Sequence, residues 1–291
     1  MLGLGALLTP IAADWFSTLG HNAVRSGYVR AVADLSKAEL ASGLEAARSY
    51  NAQLPETALR DPYLQLNGSE EASDSAGSAD SAAAAAAAYA AYEELLSVAG
   101  TDAIAEVVYP RLNIGLPLYH GTGESELARG VGHLYGSSLP VGGPSTHAVL
   151  TSHSGQIYAA LFTKLPQARV GDVFEIRVLG ETLYYRVEAL ETVEPFVTDS
   201  LNVVAGEDRV TLFTCTPIGV NSHRFLVHGV RTAAPKEAGG FALGGDGLVA
   251  GFPWWLLVWL TGSGVVAYLL FAPRRERKDE RKRGRGRRRA P

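Results

Sequence analysis

RVTLFTCTPIGVNSHR, residues 209–224, runs through β-branched and aromatic positions as far as Cys215 and then breaks. Arg209–Cys215 has the composition of a strand. Pro217-Ile218-Gly219-Val220-Asn221 supplies turn chemistry, since Pro fixes φ while Gly and Asn tolerate left-handed backbone. A second strand opens at His223-Arg224, so that Cys215 and Arg224 can face each other across the pair. Working outward, similar short runs recur at Ala105–Leu112, His147–Thr151, Val173–Val178, Thr182–Leu190 and Arg224–Gly229, separated by Gly, Pro and Asn. Six or more such strands with few helices between them predict an antiparallel barrel or sandwich.

The first third of the chain has a different texture. Between Ser26 and Tyr50 the apolar residues Tyr28, Val29, Val32, Leu35, Leu40, Leu44 and Ala47 approximate a 3.6-residue period, which predicts one or two helices ending near Pro55. Ser69–Ser81 holds only Ser, Ala, Asp, Glu and Gly and offers nothing to bury. Ala82–Ala88 then runs into Tyr89, Tyr92, Leu95 and Leu96, an alanine-rich helix.

The ends are set by charge and hydropathy. The chain has 291 residues and a net charge of −4, yet residues 273–291 carry a dense Lys/Arg block while the rest is acidic on balance. Gly251–Ala272 precedes that block without a single charge and reaches about 33 Å as a helix, enough for a hydrocarbon core of about 30 Å. Trp254 and Trp255 sit where an interfacial aromatic belt belongs. The adjacent basic tail then places the C-terminus in the cytoplasm and residues 17–250 outside. Adjacency to the span favours topology and anionic lipid over nucleic acid as the reason for the basic tail. Leu2–Ala13 is apolar but too short to span, has no basic flank, and contains a Thr9-Pro10 break; it reads as the remnant of a signal anchor. These boundaries predict an apolar segment at 1–16, a helical region at 17–60, a linker-helix region at 61–103, a β-barrel at 104–235, a linker at 236–250, a transmembrane helix at 251–272 and a basic tail at 273–291.

A single cysteine excludes an intramolecular disulfide framework and any multi-cysteine metal site, so Cys215 matters, if at all, as a thiol. A guanidinium near a thiol favours the thiolate and offers a fork of donors to an oxyanion. His153, in Thr151-Ser152-His153-Ser154-Gly155, lies just past another strand end, where an imidazole can act as general acid or base. Nucleophile, proton carrier and anion stabiliser thus come from three strand ends. His133, His147, His223 and His228 read as structural. Asn221 would permit a papain-like Cys/His/Asn set, but it lies in a short turn and Arg224 is the better third member.

Thr211-Leu212-Phe213-Thr214-Cys215 with Arg224 resembles the TLxTC strand and following arginine of sortases, the cysteine transpeptidases of Gram-positive surfaces. Leu116–Thr122, Gly130–Leu134, Ser138–Gly143 and Thr146–Gly155 resemble further barrel segments of that family, and matching motifs run from about Pro110 to Arg231. The resemblance is closest to class C, the pilin-polymerising sortases, which carry an Asp-Pro-aromatic lid and usually a C-terminal membrane helix. Asp61-Pro62-Tyr63 fits that lid. It implies a closed sortase-type β-barrel with N-terminal helices, a catalytic set of His153, Cys215 and Arg224, and a lid in which Asp61 pairs with the arginine while Tyr63 covers the cysteine. Three positions depart from the family pattern: Ser152 and Ser154 flank the histidine where Gly and Arg are commoner, and Tyr63 stands for Trp or Phe.

The activity implied is cleavage of an LPxTG-like sorting signal through a thioester on Cys215, followed by transfer to a pilin lysine. No cofactor or metal is expected. The partners implied are pilins or surface proteins bearing the signal, an acceptor lysine or a peptidoglycan-precursor amine, and membrane lipid, with no nucleic acid. Two alternatives stand beside this: a housekeeping sortase that attaches proteins to peptidoglycan, and a catalytically idle membrane-anchored scaffold.

Overall fold

A computed structural model of the chain describes residues 2–54, 79–195, 197–235 and 251–272. The chain divides into two compact units, Pro10–Phe252 and a smaller one that holds the start of the first helix and the C-terminal helix. The larger unit is built on eight strands, β1 (Ala105–Tyr109), β2 (Ile114–His120), β3 (Val131–His133), β4 (Thr146–Thr151), β5 (Val173–Val178), β6 (Glu181–Val193), β7 (Asp208–Thr216) and β8 (His223–Thr232). They close into a barrel in the order β1-β2-β3-β4-β7-β8-β6-β5.

Of the expected antiparallel barrel or sandwich the structure takes the barrel, and the antiparallel part is corrected at two seams, because β2 pairs with β3 and β4 pairs with β7 in parallel. Parallel neighbours need a crossover. The short helix Glu124–Arg129 supplies the first, and the chain through β5 and β6 supplies the second. Reading β-branched runs also missed β2 and β3 as strands. β2 contains Gly115 and Pro117, and β3 is only three residues long, so neither carries enough composition to stand out.

Side chains of β4, β7 and β8 alternate between two clusters. Val210 and Leu212 of β7, Leu150 of β4 and Val227 of β8 join the main barrel core with Leu118, Phe174, Ile176 and Tyr185. Their neighbours Phe213, Cys215, Val149 and Leu226 belong to a second cluster with Leu127, Leu134 and Leu201 on the other face. Gly229 is required where it stands, since a Cβ there would lie 2.6 Å from the Phe174 ring.

Among the described residues four helices surround or extend this barrel, α1 (Leu2–Ala33), α2 (Lys37–Gln53), α3 (Ala79–Glu94) and α4 (Glu124–Arg129), with α5 (Trp254–Phe271) in the smaller unit. Ser36 caps α2 through a full capping box with Glu39. The predicted break at Thr9-Pro10 is absent: Pro10 lies inside α1, one ladder bond is forgone, and the Thr9 hydroxyl donates to the Gly5 carbonyl at 2.9 Å. Tyr28 of α1 ties the helix to the barrel, its hydroxyl donating to the Ile104 carbonyl (2.8 Å) and accepting from the Leu179 amide (2.9 Å). α5 has no charged residue and no buried side chain, with a mean hydropathy of 1.7 over 18 residues. By length and composition it can cross a membrane.

Two buried histidines should make the barrel acid-sensitive. His133 accepts or donates to Tyr92 (2.8 Å) and the Ser138 carbonyl (2.8 Å), and His147 bridges the Asn202 carbonyl (2.9 Å) and Thr211 (2.7 Å). Burial pushes each from the usual 6.5 down to about 4. A folded pKa below the unfolded one means that the unfolded chain binds the proton first, so stability is whole at pH 7 and drains away as pH falls from 6.5 toward 4. At pH 5 the loss is about 2 kcal/mol for each ring. Urea unfolding at pH 7.5, 6 and 5 should show this decline above the range where ordinary carboxylates titrate; a flat profile would mean that the two rings take up protons without loss.

Candidate active site

Cys215 and Arg224 are register partners across the antiparallel β7/β8 pair. Both are largely buried, at 6% and 4% exposure, and both side chains lie on the outer-cluster face with Phe213 and Leu226. The turn between them holds its shape through the Pro217 carbonyl, which accepts from the amides of Val220 (3.1 Å) and Asn221 (2.9 Å). Asn221 adopts φ 57°, a left-handed conformation that Asn tolerates. Its carbonyl, with that of His223, accepts from Arg224 Nη1 at 2.9 and 3.2 Å. The guanidinium is thereby fixed by the turn that delivers it.

His153 arrives by a different route. Parallel pairing sets Thr151 of β4 against Phe213 of β7, and continuing the register two residues carries His153 to the level of Cys215. Side-chain bonds hold this extension where the ladder has ended. Thr214 donates to the Ser152 carbonyl (2.7 Å), and Ser154 donates to the Cys215 carbonyl (2.6 Å). Ser152 in turn donates to the Gly130 carbonyl at 2.5 Å. The two serines that depart from the family pattern are therefore the residues that fasten the histidine segment to the cysteine strand and to the base of α4. His153 Nε2 lies 3.1 Å from Glu124 Oε2.

A small apolar pocket lined by Leu134, Val193, Pro195, Val197, Leu201 and Leu226 has Arg224 in its wall. The structure brings His153, Cys215 and Arg224 to one end of the barrel. Asp61 and Tyr63 lie outside the described residues. Among the described residues no group of three or more His, Cys, Asp or Glu side chains is placed to hold a metal ion. Reading the sequence missed Ser152 and Ser154 as tethers and Glu124 altogether. Ser154 carried a signal in its departure from the family pattern; Glu124, 29 residues from His153, carried none.

A sortase-domain profile matches residues 107–232, the stretch that contains all three residues. The crystal structure of sortase C-1 from Actinomyces oris is 42% identical, covers 67% of this chain and 99% of its own, and superposes with a TM-score of 0.58. The chain belongs to the sortase family. Sortase C1 of Streptococcus agalactiae is 40% identical over 74% of this chain and 97% of its own, with a TM-score of 0.62. A sortase C from Streptococcus pneumoniae, described for its catalysis and pilin substrate specificity, is 35% identical over 73% of this chain and 98% of its own, with a TM-score of 0.61. A curated Sortase A of Streptococcus agalactiae serotype III (strain NEM316) is 24% identical over 152 residues, and the match spans 59% of that relative.

Proposed function

We propose that this sortase is a membrane-tethered transpeptidase of pilins, with Cys215, His153 and Arg224 as its catalytic residues. The Cys215 thiolate attacks the carbonyl carbon between Thr and Gly of an LPxTG-like signal. The C–N bond breaks, the departing amine takes the proton of the His153 imidazolium, and the threonyl group is held as a thioester. An incoming lysine amine attacks that thioester, gives one proton to His153, and releases the thiolate, which restores the starting pair with an isopeptide bond as product. Arg224 donates to the oxyanion in both steps.

The observation that carries this reading is the pairing of Cys215 with Arg224 across β7 and β8. The class C relatives support the pilin acceptor. Asp61 and Tyr63 act as the lid of this cleft, and α5 anchors the enzyme with its basic tail in the cytoplasm and its catalytic unit outside. Tethering at the surface where signal and acceptor arrive raises their effective concentration.

The test uses the full chain in detergent micelles with an LPxTG-type peptide, an acceptor pilin domain and a cell-wall amine mimic, read by mass spectrometry. Cys215→Ala is the control, and Asp61→Ala opens the cleft. A Cys215-dependent thioester and an isopeptide to the pilin lysine are expected. Transfer to the mimic alone would assign the housekeeping role instead, and neither product from the Asp61→Ala protein would leave the idle scaffold.

A further inference from the structure

We infer that Glu124 is a positioning residue for His153, an inference that rests on the proposed catalytic role of that histidine. Glu124 opens α4, and its Oε2 lies 3.1 Å from His153 Nε2. The other carboxylate of this turn is engaged elsewhere, since Glu126 Oε1 accepts from the Ser125 hydroxyl at 2.6 Å and pairs with Arg129 at 3.9 Å. Glu124 is thus the acid of α4 that reaches the histidine.

The crossover explains why it does. α4 joins β2 to β3, and β3 pairs with β4 through Gly132 and Thr151, so the helix lies directly under the segment that follows β4. Its two ends grip that segment at successive residues. Gly130, just past the helix, accepts from Ser152, while Glu124 at the start bonds His153. The His153 side chain is only 14% exposed, so a ring held at this depth has few orientations open to it.

A carboxylate that accepts from Nε2–H fixes the ring plane and leaves proton exchange with the substrate amine to Nδ1. Glu124 itself gains and loses no proton in the cycle. The proton delivered to the departing amine comes from the imidazolium, and it is replaced from the incoming amine. This is the arrangement in which a third group orients a general base for its nucleophile. Glu124 is 63% exposed, and water screens the interaction, so its removal costs about tenfold in rate and not the larger factor of a catalytic residue.

The experiment measures thioester formation and transfer by the full chain in micelles, with an LPxTG-type peptide, for wild type, Glu124→Gln, Glu124→Lys and His153→Ala. We expect kcat to fall about tenfold for Gln and further for Lys, with KM within about twofold and unchanged melting temperatures. Glu124→Gln indistinguishable from wild type, or a loss confined to KM, would overturn the inference while a dead His153→Ala kept the catalytic reading. An active His153→Ala would instead overturn the catalytic reading on which the inference rests.

Discussion

Replacing Arg224 with Ala should lower kcat/KM for a sorting-signal peptide by about 10²–10³-fold, the loss that follows removal of one preorganised oxyanion donor. The barrel should remain folded, because Arg224 Nη1 donates to the carbonyls of its own turn, Asn221 and His223, so its loss falls first on that turn. Arg224→Lys should recover little. An ammonium keeps the charge but not the rigid fork that can serve two backbone carbonyls and an oxyanion together. Circular dichroism and a thermal melt establish the fold, and peptide cleavage gives the rate. An Arg224→Ala enzyme within tenfold of wild type would mean that the oxyanion is held by other donors.

The second large effect lies on the opposite flank of the barrel. Arg25 of α1 enters a slot in β2 that exists because residue 115 is glycine, where a Cβ would stand 2.6 Å from Arg25 Nη1. There its Nε lies 3.6 Å from Glu106 of β1, and Arg177 approaches the same carboxylate at 3.9 Å. Arg25 and Glu106 are 2% and 0% exposed. Burial pushes the Glu106 carboxyl up despite both arginines, and it pulls Arg25 down. Among the described residues neither Glu106 oxygen makes a hydrogen bond, so the pair is under-satisfied.

Such a pair is costly to break and cheap to replace. Arg25→Ala should destabilise the protein by about 3–5 kcal/mol, because it leaves a buried carboxylate, whereas Arg25→Met with Glu106→Leu should recover most of that. The sign with pH is also set. A folded pKa raised above the unfolded one penalises the charged form as pH rises, so the Arg25→Ala deficit should shrink as pH falls and Glu106 takes a proton. Denaturant unfolding of the single and double variants at two pH values tests this. A double variant no more stable than Arg25→Ala would show that the slot needs the ion pair itself.

What could be read along the chain and what could not divide by distance. The β7–turn–β8 hairpin was legible because its strand composition, its turn residues and the spacing of Cys215 and Arg224 all lie within sixteen consecutive positions. The apolar run at 251–272 and the period of Tyr28, Val32, Leu44 and Ala47 were legible for the same reason. The parallel seams were not, since a strand's direction depends on the path of the crossover that precedes it, and neither β2 nor β3 announces itself in composition.

The sequence by itself determined that a thiol and a guanidinium would face each other across one hairpin, because adjacent strands joined by a short turn have little choice of register. Only the tertiary structure decided what completes the site. The parallel β4/β7 register carries His153 to the level of Cys215, Ser154 reaches the Cys215 carbonyl from 61 residues away, and Glu124 reaches the histidine from a helix that exists as a crossover. Contacts across such separations are fixed by barrel closure, whose driving force is burial of the two clusters on either face of the sheet.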